Sequence, residues 1–330
     1  MNAVLESGKA VAGAVHAPRL RVFKWLVRRE LWEHRGVWIA PLICAVIILF
    51  GASVGHVNMG GAPVPQGPGL EVNAPAAGQW AGVALLGMAV PFYFTLLLTQ
   101  FFYGLNSLFD DRKDRSVLFW KSLPASDLET VLSKVFVASV VLPLVALAFT
   151  VATQVVFALV AAVRVGSIAA QLGTAFGPQA AAAAHAFVSA FASPQLWLAN
   201  IVTLLWVAFG FVLWTLPLVG YALLVSAATP RSPFVVAALL VGGVGLAESL
   251  LFDSNWLAAQ IVMHAFAPIG GMDRPTAGPT AVNAHGHLPS FSSDHLVAAF
   301  TSPDLWTGLV VGVLFIGGAV WARRYRDENT

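Results

Sequence analysis

Six stretches of this chain, 37–55, 80–102, 135–163, 197–226, 234–251 and 305–321, are apolar from end to end, and Glu248 is the only Asp, Glu, Lys or Arg within them. The hydrocarbon core of a bilayer is about 30 Å thick and is crossed by about 20 residues of helix, while a charge near its centre costs roughly 3 kcal/mol even on the mildest scale. No water in that core satisfies a free backbone amide, so runs of this length have to be helical. The pattern predicts an all-α integral membrane protein with six transmembrane helices. Composition excludes the alternative of a soluble fold: 58% of the residues are hydrophobic and 10% charged, against roughly a quarter charged in an ordinary soluble domain.

Lys and Arg close to span ends set the orientation of a membrane protein. Lys9, Arg19, Arg21, Lys24, Arg28, Arg29 and Arg35 precede the first span, and Arg112, Lys113, Arg115, Lys121 and Lys134 lie between the second and third. Arg231 lies between the fourth and fifth, Arg323, Arg324 and Arg326 follow the last, and only Arg164 and Arg274 of the 18 basic residues fall on the other side. This predicts that both termini face the cytosol. The chain then divides into a cytosolic N-terminus over 1–36 and a six-span domain over 37–330, with a cytosolic segment at 106–134 and a long outer loop at 252–304. Residues 1–18 lack a long apolar core, so the first span, not a cleaved leader, is expected to direct insertion. With Cys44 as the single cysteine, neither an intrachain disulfide nor a cysteine zinc site can form.

Between the spans, three local signals stand out. Over 19–35, Leu20, Phe23, Val27 and Leu31 recur at helical spacing, with Arg21, Lys24, Arg28 and Arg35 opposite and Trp25 and Trp32 at the flanks. This predicts an N-terminal amphipathic surface helix that lies along the inner membrane surface, on its lipid, and does not cross it. Ser126 with Glu129 is a capping box, so a helix begins at Ser126 and, reaching the end of the third span, is too long for the bilayer alone. Upstream of it, 111–123 can form a short helix ending at Pro124, in which Val117, Leu118 and Trp120 are apolar among dense charges. A short mixed-charge helix held at the membrane surface is suited to docking in a protein groove. A repeated Phe-x-Ser-Pro-x-Leu-Trp pattern, from Phe191 and from Phe300, is the same helix-start device used twice: a Ser cap, Pro in the first turn and an interfacial Trp.

At 106–134 the chain resembles the permease subunits of type-2 ATP-binding cassette (ABC) exporters. In that family an acidic-basic stretch, a short coupling helix, a Pro-x-Ser turn and a Gly-or-Ser-Lys pair join the second and third spans. Here these are Asp110-Asp-Arg-Lys-Asp-Arg115, residues 116–123, Pro124-Ala-Ser126 and Ser133-Lys134. Where the family commonly has Arg-x-x-Gly-Thr-x-Glu, this chain has Arg112-Lys-Asp-Arg-Ser-Val-Leu118. The order of elements is also similar: a surface helix, six spans, and a long outer loop before the last. The resemblance implies a permease of the cell (inner) membrane that pairs with a second permease, as a homodimer or with a similar permease, and binds cytosolic ABC ATPase subunits. It assigns ATPase coupling to Asp111, Arg112, Asp114, Arg115, Val117, Leu118 and Trp120, and the turn and base of the third span to Pro124, Ser126, Glu129 and Lys134. No Gly-x-x-x-x-Gly-Lys-Ser/Thr phosphate loop occurs in the chain, so ATP and Mg belong to the partner and this chain is expected to bind no cofactor and to be no enzyme itself. An integral membrane enzyme, or a structural membrane protein without an ATPase, is the alternative. No nucleic-acid partner is expected.

Gln100, Gln154 and Glu248 are the large polar side chains within the spans and the candidates for a translocation path; the two glutamines can equally bond a neighbouring helix, and Glu248 lies about one turn from the outer end of its span. Gly242, Gly243 and Gly245 suggest a close helix crossing in the fifth span. His264, Asp273, His285, His287, Asp294 and His295 carry metal-binding groups, but their loose spacing in Gly/Pro-rich sequence predicts an ordinary polar loop and no metal site. Residues 256–267 are apolar enough to dip back into the outer leaflet.

Overall fold

The computed structural model of the chain describes residues 19–54, 74–113, 126–270 and 301–326, and these contain helices and short turns but no strand. Among the described residues, six helices are long and apolar enough to cross a membrane: α2 (Gly36–Val54), α3 (Ala74–Lys113), α4 (Asp127–Phe176), α6 (Pro194–Trp214), α8 (Pro233–Phe252) and α10 (Pro303–Arg326). Four shorter helices complete them: α1 (Arg19–Glu33), α5 (Pro178–Ala190), α7 (Leu216–Ala228) and α9 (Trp256–Gly270).

The apolar runs predict the spans but understate the helices. No proline or glycine interrupts α3 after Gly104, so it continues through the polar residues 106–113 and ends on Arg112 and Lys113, whose charges complement the negative end of the helix dipole. Residues 111–113, where a separate short helix was expected to begin, are thus the end of α3, and 114–123 lie outside the described residues. α4 starts at the predicted capping box: the Ser126 amide donates to Glu129 Oε2 at 3.0 Å and the Glu129 amide to Ser126 Oγ at 3.2 Å. It runs for 50 residues, about 75 Å at 1.5 Å per residue, more than twice the hydrocarbon thickness. Within it Val137–Val141 form a π-helical turn just before Pro143, whose missing amide would leave a carbonyl one turn back without a donor in a regular helix. α4 ends at Gly177, which has φ +91°, and folds back on α5 through Ala169, Leu172 and Ala184. That hairpin is not visible in the hydropathy pattern.

The expected fourth span, 197–226, is two helices. α6 stops at Thr215, because Pro217 cannot donate to the carbonyl four residues before it. α7 is then buried between α3 and α10 by close backbone contact: a Cβ at Gly104 would lie 2.8 Å from Ala222 Cβ, and one at Gly220 would lie 2.8 Å from the carbonyl oxygen of Gly312. The close crossings are here and not at Gly242, Gly243 and Gly245, where an added Cβ meets nothing within 4 Å. α6 and α10 begin at Pro194 and Pro303, the two copies of the repeated start pattern.

α9, at 15 residues, is about 22 Å long and too short to cross. Its N-terminus is capped by Glu248 across a turn in which Asp253 adopts φ 50°. Glu248 accepts from the Ser254 hydroxyl at 2.7 Å, from the Leu257 amide at 2.9 Å and from the Trp256 amide. α9 packs on α6 and α10 through His264, whose Nδ1 bonds the Gln260 carbonyl oxygen at 2.9 Å and whose ring lies 5.6 Å from that of Trp214. Gly308 leaves the room for that ring, since a Cβ there would fall 2.1 Å from Nε2.

Candidate functional site: a buried ionic cluster at one end of the bundle

On α1, Phe23, Leu26, Val27, Glu30, Leu31 and His34 follow one another at helical spacing, so an acid sits in the middle of an apolar stripe. In the structure that stripe is packed against protein, not left for lipid. Phe23 meets Phe136 of α4 edge to face at 5.7 Å, Leu26 is buried, and Val27 and Leu31 pack on the main core. Glu30 is carried inward with them, to 1% exposure.

Four helices bring their charges to this place. Lys134 of α4 has no exposed surface, and its ammonium donates to Glu30 Oε1 at 2.7 Å and to the Ser107 carbonyl oxygen at 2.9 Å, with Asp111 Oδ2 at 3.2 Å. Three acceptors match its three protons. Asp111 of α3 also meets Arg29 Nη2 at 3.1 Å and Arg323 Nη1 at 3.4 Å, and Arg323 of α10 turns its Nε to Asp127 Oδ1 at 3.1 Å. The second oxygen of Glu30 accepts from the Tyr103 hydroxyl at 2.9 Å and lies 3.5 Å from His34 Nε2. Acids and bases balance, and the donors and acceptors of Glu30 and Lys134 are spent on one another, which is the condition under which charges tolerate burial. Burial by itself would push the Glu30 carboxyl up, but the Lys134 charge and the His34 and Lys134 hydrogen bonds outweigh it and hold the group down to about 2.

Arg112, next to Asp111, points the other way. It donates to the carbonyl oxygens of Ser226 and of Thr229, the latter at 2.9 Å, capping the C-terminus of α7. The Ser226 hydroxyl in turn accepts from the amides of Leu108 at 3.2 Å and Phe109 at 2.9 Å. The base of α3 is thereby joined to α1, α4, α7 and α10.

The sequence-predicted residues separate accordingly. Asp111 and Lys134 come together with residues that were not singled out, Glu30, Tyr103, Asp127 and Arg323, while Arg112 caps α7. Asp111 shares a helix face with Ser107 and Tyr103, four and eight residues before it, so once α3 continues past 106 the Asp111 side chain must face the bundle. The one usable signal for Glu30 was an acid on an apolar stripe. Asp114, Arg115, Val117, Leu118, Trp120 and Pro124 lie outside the described residues, but both ends of that segment are held, by Asp111 and Arg112 before it and by Ser126, Asp127, Glu129 and Lys134 after it.

Gln100 and Gln154 are 1% and 0% exposed. Gln100 donates to the Ala138 carbonyl oxygen, within the π-turn, at 2.8 Å; Gln154 donates to that of Leu85 at 2.8 Å and accepts from Asn200 at 2.8 Å. Both amides cross-link α3 to α4. Glu248 lies far along the chain from the ionic cluster, at the cap of α9. His285, His287 and His295, with Asp273 and Asp294, lie outside the described residues, and among the described residues no group of three or more His, Cys, Asp or Glu could hold a metal ion.

Compared with protein-family models, with curated proteins and with solved structures, the chain matches none.

Proposed function

We propose that this chain is the membrane-spanning permease subunit of an ABC transporter, an exporter, that forms the translocation path and is driven by separate cytosolic ATPase subunits. What supports this reading is the ionic cluster at the two ends of 114–125, the segment that resembles a coupling helix. A force applied to 114–125 by a closing ATPase has to pass through Asp111 and Arg112 on one side and through the capped start of α4 on the other. Both are tied by buried charge pairs and carbonyl caps to α1, α7 and α10, so the push would move helices as a body instead of bending a loop. On this reading Asp111, Arg112 and Lys134 act as the frame behind the coupling segment, and Val117, Leu118 and Trp120 are the residues that touch the ATPase. The end of the bundle with the ionic cluster faces the cytosol, in keeping with the basic residues that precede α2 and follow α10. A second permease completes the path, and ATP with Mg is bound by the partner.

The test replaces Leu118 and Trp120 together with Asp, which leaves every apolar run intact. Membrane insertion should be unchanged, while co-purification of the ATPase with tagged permease, or substrate stimulation of its hydrolysis, should be lost. Unchanged co-purification together with unchanged stimulation would refute the proposal.

A further inference from the structure

With its apolar side docked on α4, α1 presents a different face outward. Arg21, Trp25, Arg28 and Trp32 follow at spacings of four, three and four, which aligns them along one side of the helix, and all four are exposed. Trp25 and Trp32 are 69% and 70% exposed, and the Arg28 guanidinium lies 5.7 Å from the Trp25 ring and 4.9 Å from that of Trp32. Lys24 beside the stripe and Arg35 in the turn beyond it are exposed as well. No acid interrupts the stripe, since Glu30 is turned inward and Glu33 is paired with Arg29. Among the described residues no carboxylate pairs with Arg21, Arg28 or Arg35.

We propose that this Arg–Trp stripe is a binding surface for the headgroups of anionic phospholipids. Charge complementarity requires an anionic occupant, and the tryptophans distinguish a lipid from an acidic protein or a free phosphate. An indole left two-thirds exposed to water is unfavourable, whereas at the headgroup level its apolar body and N–H are both accommodated. Depth is set by the chain itself: only His34 and Arg35 separate α1 from the first span at Gly36, so the stripe is held at the membrane edge. The ion pairs of Glu30 with Lys134 and of Arg29 with Asp111 keep the helix from rolling, so the face is presented ready-made. The surface helix thus touches the membrane through its basic-aromatic side, the reverse of what its hydrophobic periodicity implies.

The inference concerns the purified chain without any ATPase, so it can fail independently of the proposed transport role. The measurement is native mass spectrometry of detergent-solubilised full-length protein titrated with phosphatidylglycerol or with phosphatidylcholine. Wild type should prefer phosphatidylglycerol, and Arg21→Gln with Arg28→Gln should reduce that preference by roughly 25-fold, about fivefold per arginine. Trp25→Ala with Trp32→Ala should weaken both lipids while keeping the preference. Arg231→Gln, an exposed arginine elsewhere, should change nothing, and all variants should melt with wild type in phosphatidylcholine. Retention of the preference within twofold in the double arginine variant would overturn the proposal. So would an equal loss in Arg231→Gln, or a preference seen only when an acidic protein co-purifies.

Discussion

Removing the ammonium of Lys134 by Lys134→Met is the most informative single perturbation of the bundle. The methionine fills nearly the same volume but leaves Glu30 Oε1, the Ser107 carbonyl oxygen and Asp111 Oδ2 without the proton donor they had at 2.7, 2.9 and 3.2 Å. Arg29 and Arg323 still compensate Asp111, so the main loss falls on Glu30, which keeps Tyr103 and His34 but no full positive charge beside it. Breaking one partner of a buried pair costs about 3–5 kcal/mol. Glu30→Gln alone should cost less, about 1–3 kcal/mol, because Lys134 keeps Asp111 and the Ser107 carbonyl. In the double variant no unpaired charge remains, so its cost should fall short of the sum by about 1–3 kcal/mol. Equilibrium unfolding in mixed dodecylmaltoside and SDS micelles measures all three. Additivity of the two substitutions within about 0.5 kcal/mol would mean that Glu30 and Lys134 do not interact in the folded protein, and the account of the cluster would be wrong.

The same cluster predicts a pH dependence. Glu30 is held at about 2 in the fold against an ordinary 4.5, so its contribution is fully present above about pH 4.5 and is lost as pH falls toward 2; Glu30→Gln should flatten the unfolding profile over that window, with its cost of about 1–3 kcal/mol present at neutral pH and vanishing toward pH 2. The glycine contacts predict a contrast between helices: Gly220→Ala drives a Cβ onto the Gly312 carbonyl oxygen and should destabilise by about 1–3 kcal/mol. Gly243→Ala, with nothing within 4 Å, should stay within about 0.5 kcal/mol of wild type in the same unfolding assay.

Hydropathy alone determined that the chain is a bundle of six long apolar helices, because a 30 Å hydrocarbon layer leaves a 20-residue apolar run no other backbone solution. The start of α4 was also legible, since a capping box is satisfied within four residues, and so were the proline starts of α6 and α10. Short-range rules end there. The break at Thr215 turns on Pro217, visible in the sequence but hidden in a run with no drop in hydropathy. The α4–α5 hairpin rests on apolar residues at Ala169, Leu172 and Ala184, which nothing distinguishes from the apolar residues around them. Ion-pair partners in the cluster lie up to 212 residues apart, and nothing local says which charges of a charged segment will turn inward. Asp111 and Arg112 looked like surface charges because α3 was expected to end at the membrane. Once the helix continues, its 3.6-residue period carries Asp111 onto the buried side and Arg112 onto the end of α7. The glycines tell the same story: α8 has three in four residues and touches nothing there, while single glycines at 104, 220 and 312 carry the close approaches, because only the crossing of α3, α7 and α10 decides where a Cβ has no room.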